Sequence, residues 1–132
     1  MKIIACVDIR GGIAFNHRRQ SRDSAVVRDI LAMAEGKRLL MTPYSAKLFG
    51  DAPVTLSDEP LAEASEGDLC FVELIDPTPY TDFASQLVLY NWNERYPFDV
   101  SLALDLSKWN KVQQSTLTGS SHEEIIKEIY EK

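Results

Sequence analysis

"KIIACVDIRGGIAFN", Lys2 to Asn16, is the stretch whose reading decides the fold. It opens on an apolar run that closes on the acid Asp8. A strand with one face in water alternates apolar and polar residues, whereas a strand covered on both faces has no such need. The run therefore reads as a strand in the interior of a sheet. "IRGG", Ile9 to Gly12, then turns the chain. Past the turn, a loop running to Ser24 gathers His17, Arg18, Arg19 and Arg22, and after them the carboxylate of Asp23.

From Ser24 the spacing predicts a helix that stops at Gly36. Val27, Ile30, Leu31 and Ala34 make its core face, and Arg28 and Asp29 lie outside that stripe. "RLLMT" reads as a second strand. "TPYSAKLF" starts a short helix with Thr42 as N-cap and Pro43 in the first turn. "APVTLSD", "DLCFVELI", "QLVLYNW" and "DVSLALDL" read as further strands, and "LAEASEGD" as a short helix or loop. Residues 80–86 read as a helical turn, and "WNKVQQSTLT" as an edge strand. At the end, Ser121 and Glu124 have capping-box spacing and Ile125, Ile126, Ile129 and Tyr130 supply an apolar face, which predicts a C-terminal helix. Helices alternate with strands early and strands follow one another late. That order implies an α/β fold with a central mostly parallel sheet, an antiparallel edge and flanking helices.

At 132 residues the expectation is one domain over residues 1–132. No apolar run is long enough to span a bilayer, and the N-terminal run is too short for a signal-peptide core, so the expected location is the cytoplasm. Cys6 and Cys70 lie in strand-like runs and read as free thiols, and no Cys or His pair has metal-ligand spacing. Residues 1–50 hold nine Lys and Arg against four Asp and Glu, and residues 51–132 hold five against sixteen. A net charge of −6 argues against nucleic acid as a partner, which needs a broad basic face. Two readings of the basic first half stand: a local pocket for a small anion, or cations that neutralise the acidic second half across the fold.

The motif order resembles the dihydrofolate reductase family. That family opens with an apolar strand, a glycine-containing turn and a flexible loop, and an acid opens its first helix. Here these read "IIACVDIRGGIAFN" and "SRDSAVVRDIL". A strand leading to a short helix reads "KRLLMTPYS", and a strand ending in Leu-Ser reads "VTLSD". The family's strand with a Gly-Gly turn resembles "CFVELIDPTPY", and its late acid-bearing strand followed by Trp resembles "DVSLALDLSKW". The resemblance implies a divergent member with a central sheet, helices on both sides and a ligand cleft across the sheet.

Asp23 matches the family's substrate-binding acid in position and context. That role would place it on the inward face of the helix, with a raised pKa, holding a proton or a heterocycle. The alternative is that Asp23 caps the helix N-terminus. The family's Gly-Arg at the second helix start is replaced by Thr42 and Pro43, and its Gly-Gly turn by Ile75, Asp76 and Pro77. The resemblance with these departures implies no NADPH binding by the usual mode. The candidate site is therefore Asp23 as a catalytic acid, with His17, Arg18, Arg19, Arg22, Thr42 and Ser45 as ligand-binding residues. Two functions remain open. One is a protein of this fold that binds an anionic small molecule near the first helix. The other is a divergent NADPH-dependent reductase of a pterin-like heterocycle that uses Asp23. Ser115, Ser120, Ser121 and His122 raise a Ser-His pair, with Asp23 or Asp105 as a third member. No nucleophile elbow accompanies them, and His122 reads as an exposed residue of a helix start.

Overall fold

The opening apolar run forms β1 (Lys2–Val7), hydrogen-bonded to a strand on each side. The computed structural model describes residues 1–132. After β1 come β2 (Gly12–Phe15), β3 (Arg18–Arg19), α1 (Ser24–Met33), β4 (Leu39–Met41), α2 (Pro43–Ala46), β5 (Thr55–Leu56) and α3 (Pro60–Glu63). Then follow β6 (Leu69–Val72), a 3₁₀ turn at Thr78–Phe83, β7 (Gln86–Asn91), β8 (Val100–Ser101), β9 (Asn110–Leu117) and β10 (Ile125–Glu131). The main sheet has the order β5-β4-β6-β1-β7-β10-β9, and a small second sheet has the order β3-β2-β8. Strands β5, β4, β6, β1 and β7 run parallel, and β10 and β9 add the antiparallel edge.

Alternate residues of β1 enter opposite cores, because successive side chains of a strand point to opposite faces. Ile3, Ala5 and Val7 pack with Leu40, Val72 and Leu87, and with Ile13 and Ala14 of the small sheet. Ile4 packs with Phe71, Val88 and Tyr90, and with Val26, Ile30 and Ala34 of the first helical segment. Both faces are thus covered at β1, as its unbroken apolar run requires. No helix is long and apolar enough to cross a membrane. Cys6 and Cys70 are free thiols, and burial pushes the Cys70 pKa up to about 11.

The structure departs from the sequence reading at three places. The C-terminal segment is the strand β10 and not a helix. Ile125, Lys127 and Ile129 are buried, and Ile125 and Ile129 join the α1 core while Tyr130 enters the opposite one. The Ile125–Ile129 spacing fits a helix turn and a strand face equally well. Pairing with β7 and β9 on both sides decides for the strand. "DVSLALDL" yields only the two-residue β8, paired with β2 in the small sheet. The segment after the glycine turn is no loop: β2 and β3 form a hairpin. Asn16 and His17 form its two-residue tip, both with positive φ, 52° and 60°. Two positive φ values in succession are what a type I′ hairpin turn requires.

Candidate functional site

Asp23 is the N-cap of α1, where its Oδ1 accepts the Ala25 N–H at 2.9 Å. Only 3% of its surface is exposed. The carboxylate bonds to the 119–122 loop between β9 and β10. Oδ1 also accepts the Ser120 N–H and hydroxyl, both at 2.9 Å. Oδ2 accepts the Ser121 N–H at 2.8 Å, the His122 N–H at 3.1 Å and His122 Nδ1 at 2.9 Å. Gly119 permits this approach, since a Cβ there would overlap the His122 carbonyl oxygen and Asp23 Oδ2. Burial opposes ionisation, but the His122 bond and the backbone N–H groups outweigh it. They hold Asp23 well below the usual carboxylate range. The expected raised pKa is therefore corrected. The capping alternative describes what the side chain does, and the Ser121–Glu124 capping box does not form because strand β10 and not a helix follows, with the Ser121 N–H given to Asp23.

His122 is buried, not exposed on a helix start. Its ring stacks on Trp92, with centroids 4.7 Å apart. An ionised carboxylate only accepts hydrogen bonds, so Nδ1 carries the proton that faces Asp23. Nε2 lies 2.9 Å from Ser21 Oγ and 3.2 Å from the Tyr96 hydroxyl. Sequence reasoning raised a Ser-His pair but missed Ser21 as its serine, because 101 residues separate Ser21 from His122 and only the β9–β10 hairpin brings them together.

The remaining candidates separate into three places. His17 sits at the hairpin tip and Arg18 just beyond it, both exposed. Arg19 is drawn inward. Its guanidinium lies over the Tyr44 ring and grips the buried Glu73 with two bonds, of 2.7 and 3.0 Å. Ser45 donates to the same Glu73 at 2.8 Å, and Thr42 caps α2 by accepting the Ser45 N–H. Arg22 stands alone. It is exposed, and together with Ser24, Val27, Leu48, Ser120 and Ser121 it lines an open cavity of about 370 Å³ over the start of α1. A second cavity, about 280 Å³, lies at the carboxyl ends of β4, β5 and β6. Thr42, Ser45, Asp58, Glu59, Glu73, Phe71, Leu61 and Tyr80 are among its lining residues.

No protein-family model matches the chain, and no curated protein matches it. Among solved structures it is similar to a dihydrofolate reductase from Enterococcus faecalis complexed with NADP(H) and RAB-propyl. The identity is 15%, the TM-score is 0.66, and the match covers 98% of this chain and 94% of that one. The chain has the dihydrofolate reductase fold. The resemblance read from "IIACVD", "SRDS" and "VTLSD" thus holds at the level of architecture. The dihydrofolate reductase fold also gives a test of the implied nucleotide, and the residues present do not suit it. Pro43 lacks a backbone donor in the first turn of α2. Arg19 and Ser45, the donors nearest Glu73, are already engaged by it. Asp58, Glu59 and Glu73 face the cavity where a phosphate would need cations. Asp76 fixes the turn after β6 by accepting the Thr78 and Ala103 N–H groups, which places a further carboxylate at that turn.

Proposed function

We propose that this protein binds a small anionic molecule over the start of α1 and does not act as a nicotinamide-dependent reductase. The observation that carries the reading is Arg22. Arg10, Arg19 and Arg38 each pair with a carboxylate, at 3.8, 2.7 and 2.6 Å. Arg22 pairs with none and lies on the wall of an open cavity beside three serines. An unpaired guanidinium beside the Ser121 hydroxyl and the positive end of a helix favours a carboxylate or phosphate, while the Ser120 hydroxyl is already given to Asp23 and the Ser24 hydroxyl to Ser120. The Asp23 charge does not oppose this strongly, since six donors already surround its two oxygens. Those donors also weigh against the reductase alternative, which needs Asp23 free to hold a proton or a heterocycle.

The reading keeps only Arg22 of the expected ligand-binding residues and adds its neighbours on the cavity wall, Ser24, Ser120 and Ser121; Thr42 leaves the set because it caps α2. Arg19 and Ser45 leave it because Glu73 holds them. His17 and Arg18 leave it because they line neither cavity. Sulfate or phosphate is expected to raise the melting temperature of the wild type, since a ligand of the native state stabilises it. Arg22→Ala is expected to abolish the gain while Arg18→Ala keeps it. An equal anion response in Arg22→Ala and wild type would overturn the reading.

A further inference from the structure

We propose that Ser21, His122 and Asp23 form an acyl-transfer relay in which Ser21 is the nucleophile, accepting a small acyl group from an ester or acyl phosphate. Ser21 Oγ lies 2.9 Å from His122 Nε2, and His122 Nδ1 lies 2.9 Å from Asp23 Oδ2. Asp23 accepts only, so it fixes the Nδ1–H tautomer and leaves the Nε2 lone pair facing the serine hydroxyl. The Trp92 stack and the His122 N–H bond to Asp23 hold the ring in that orientation. Nucleophile, base and orienting acid are thus within hydrogen-bond reach of one another, which is the arrangement such chemistry needs regardless of chain order. The exposure is graded in the useful sense: Asp23 and His122 are buried, and Ser21 is half-buried.

Ser21 borders two small cavities of about 10 Å³ each, one shared with Val26, Val27, Leu48 and Trp92 and the other with Ile13 and Gln20. Such a volume holds about one water-sized group, room for the methyl of an acetyl group and for no longer acyl chain. The first small cavity shares Arg22, Asp23, Val27 and Leu48 with the open one over α1. The leaving group would lie there, with its anion on Arg22, and that part alone rests on the reading above. In the first step Oγ bonds to the carbonyl carbon as Nε2 takes the hydroxyl proton, and the carbonyl electron pair moves to oxygen. The intermediate collapses, the bond to the leaving oxygen breaks, and Nε2 gives its proton to that oxygen, or to solvent where the group leaves as an anion, so that Nε2 is free to act again. Water repeats the sequence on the acyl-serine and releases the acid and free Ser21.

The test uses p-nitrophenyl acetate and acetyl phosphate, with release of nitrophenol or phosphate, intact mass and peptide mapping as readouts. An acetyl adduct on Ser21 is expected, absent in Ser21→Ala. Removing the base typically costs about a hundredfold or more, so His122→Gln and Asp23→Asn should slow acetylation of Ser21 by that order. Melting curves of all variants show whether each folds, and the half-buried Ser21→Ala keeps the test valid if the buried variants do not. A wild type that neither acquires an adduct on Ser21 nor turns over either substrate, or product release unchanged in Ser21→Ala, would overturn the relay. Arg22→Ala is expected to lower the preference for acetyl phosphate over the neutral ester. An unchanged preference with Ser21 still acetylated would count against the anion reading and leave the relay standing.

Discussion

At the scale of single residues, Asp23 shows how distant partners reverse a pKa shift expected from burial. Its place before the first helix was legible, and so was its alternative as a cap. What the sequence did not display is the loop 97 to 99 residues away that supplies Ser120, Ser121 and His122 as donors. Those donors reverse the expected pKa shift, and the reversal has a measurable sign. A carboxyl whose folded pKa is depressed contributes stability above its unfolded pKa and loses it as the pH falls towards the folded value. Asp23 therefore stabilises the fold at neutral pH, and the contribution starts to fade below its ordinary value of 3.8. Asp23→Asn removes the charge and sets an amide N–H against backbone donors, which should cost about 2 to 3 kcal/mol at neutral pH. Denaturant titrations of both proteins from neutral pH to about pH 2 should show the gap closing in acid. A gap constant with pH would mean that the carboxylate charge contributes nothing.

Among the elements, legibility follows how local each signal is. β1, α1, α2 and β4 are set by neighbours in the chain: an apolar run, a helical stripe, and Thr42 before Pro43. β10 is set by partners instead. "IIKEIY" satisfies helix and strand periods alike, and only the strands beside it choose. Lys127 sharpens the point. It is a polar residue in a buried strand, and it is tolerated because its Nζ reaches Asp29 of α1 at 2.8 Å. The β2–β3 hairpin was hidden for a third reason. Its tip is Asn16–His17, where Asn-Gly would have announced the turn. Asn tolerates positive φ, but a histidine at 60° carries strain that glycine does not. His17→Gly should therefore stabilise the protein by about 0.5 to 1 kcal/mol, the scale of a relieved left-handed residue. The exposed ring at the tip makes no contact that the change would remove from the core. A fall in the unfolding midpoint would show that His17 has a role at the tip beyond making the turn.

Over the whole molecule, charge distinguishes the two halves of the sequence and the cavities they line. The basic first half and acidic second half meet in the fold as Arg19 on Glu73 and Arg38 on Asp68. The neutralising reading of the sequence thus accounts for these two cations and not for Arg22, which among the unpaired first-half cations is the one that lines the cavity over α1. Glu73 sits where β6 ends, beneath the cavity at the strand ends, and Asp58 and Glu59 face it from the segment leading into α3. Strand ends of an α/β sheet are where ligands bind, but the wall here presents carboxylates. A nucleotide carrying several phosphates would place negative charge against them. It would also gain nothing from Arg19, whose guanidinium already makes two bonds to Glu73. Calorimetric titration with NADPH is accordingly expected to give no saturable heat at micromolar concentrations. Glu73→Gln gives the sharper half of the test. It removes the Arg19 partner while keeping the side-chain shape, so any latent phosphate affinity should rise in the variant. Micromolar NADPH affinity in the wild type would show that the carboxylates do not exclude the nucleotide. An unchanged, undetectable affinity in both would place the obstacle in the backbone at Pro43 and Asp76 rather than in charge.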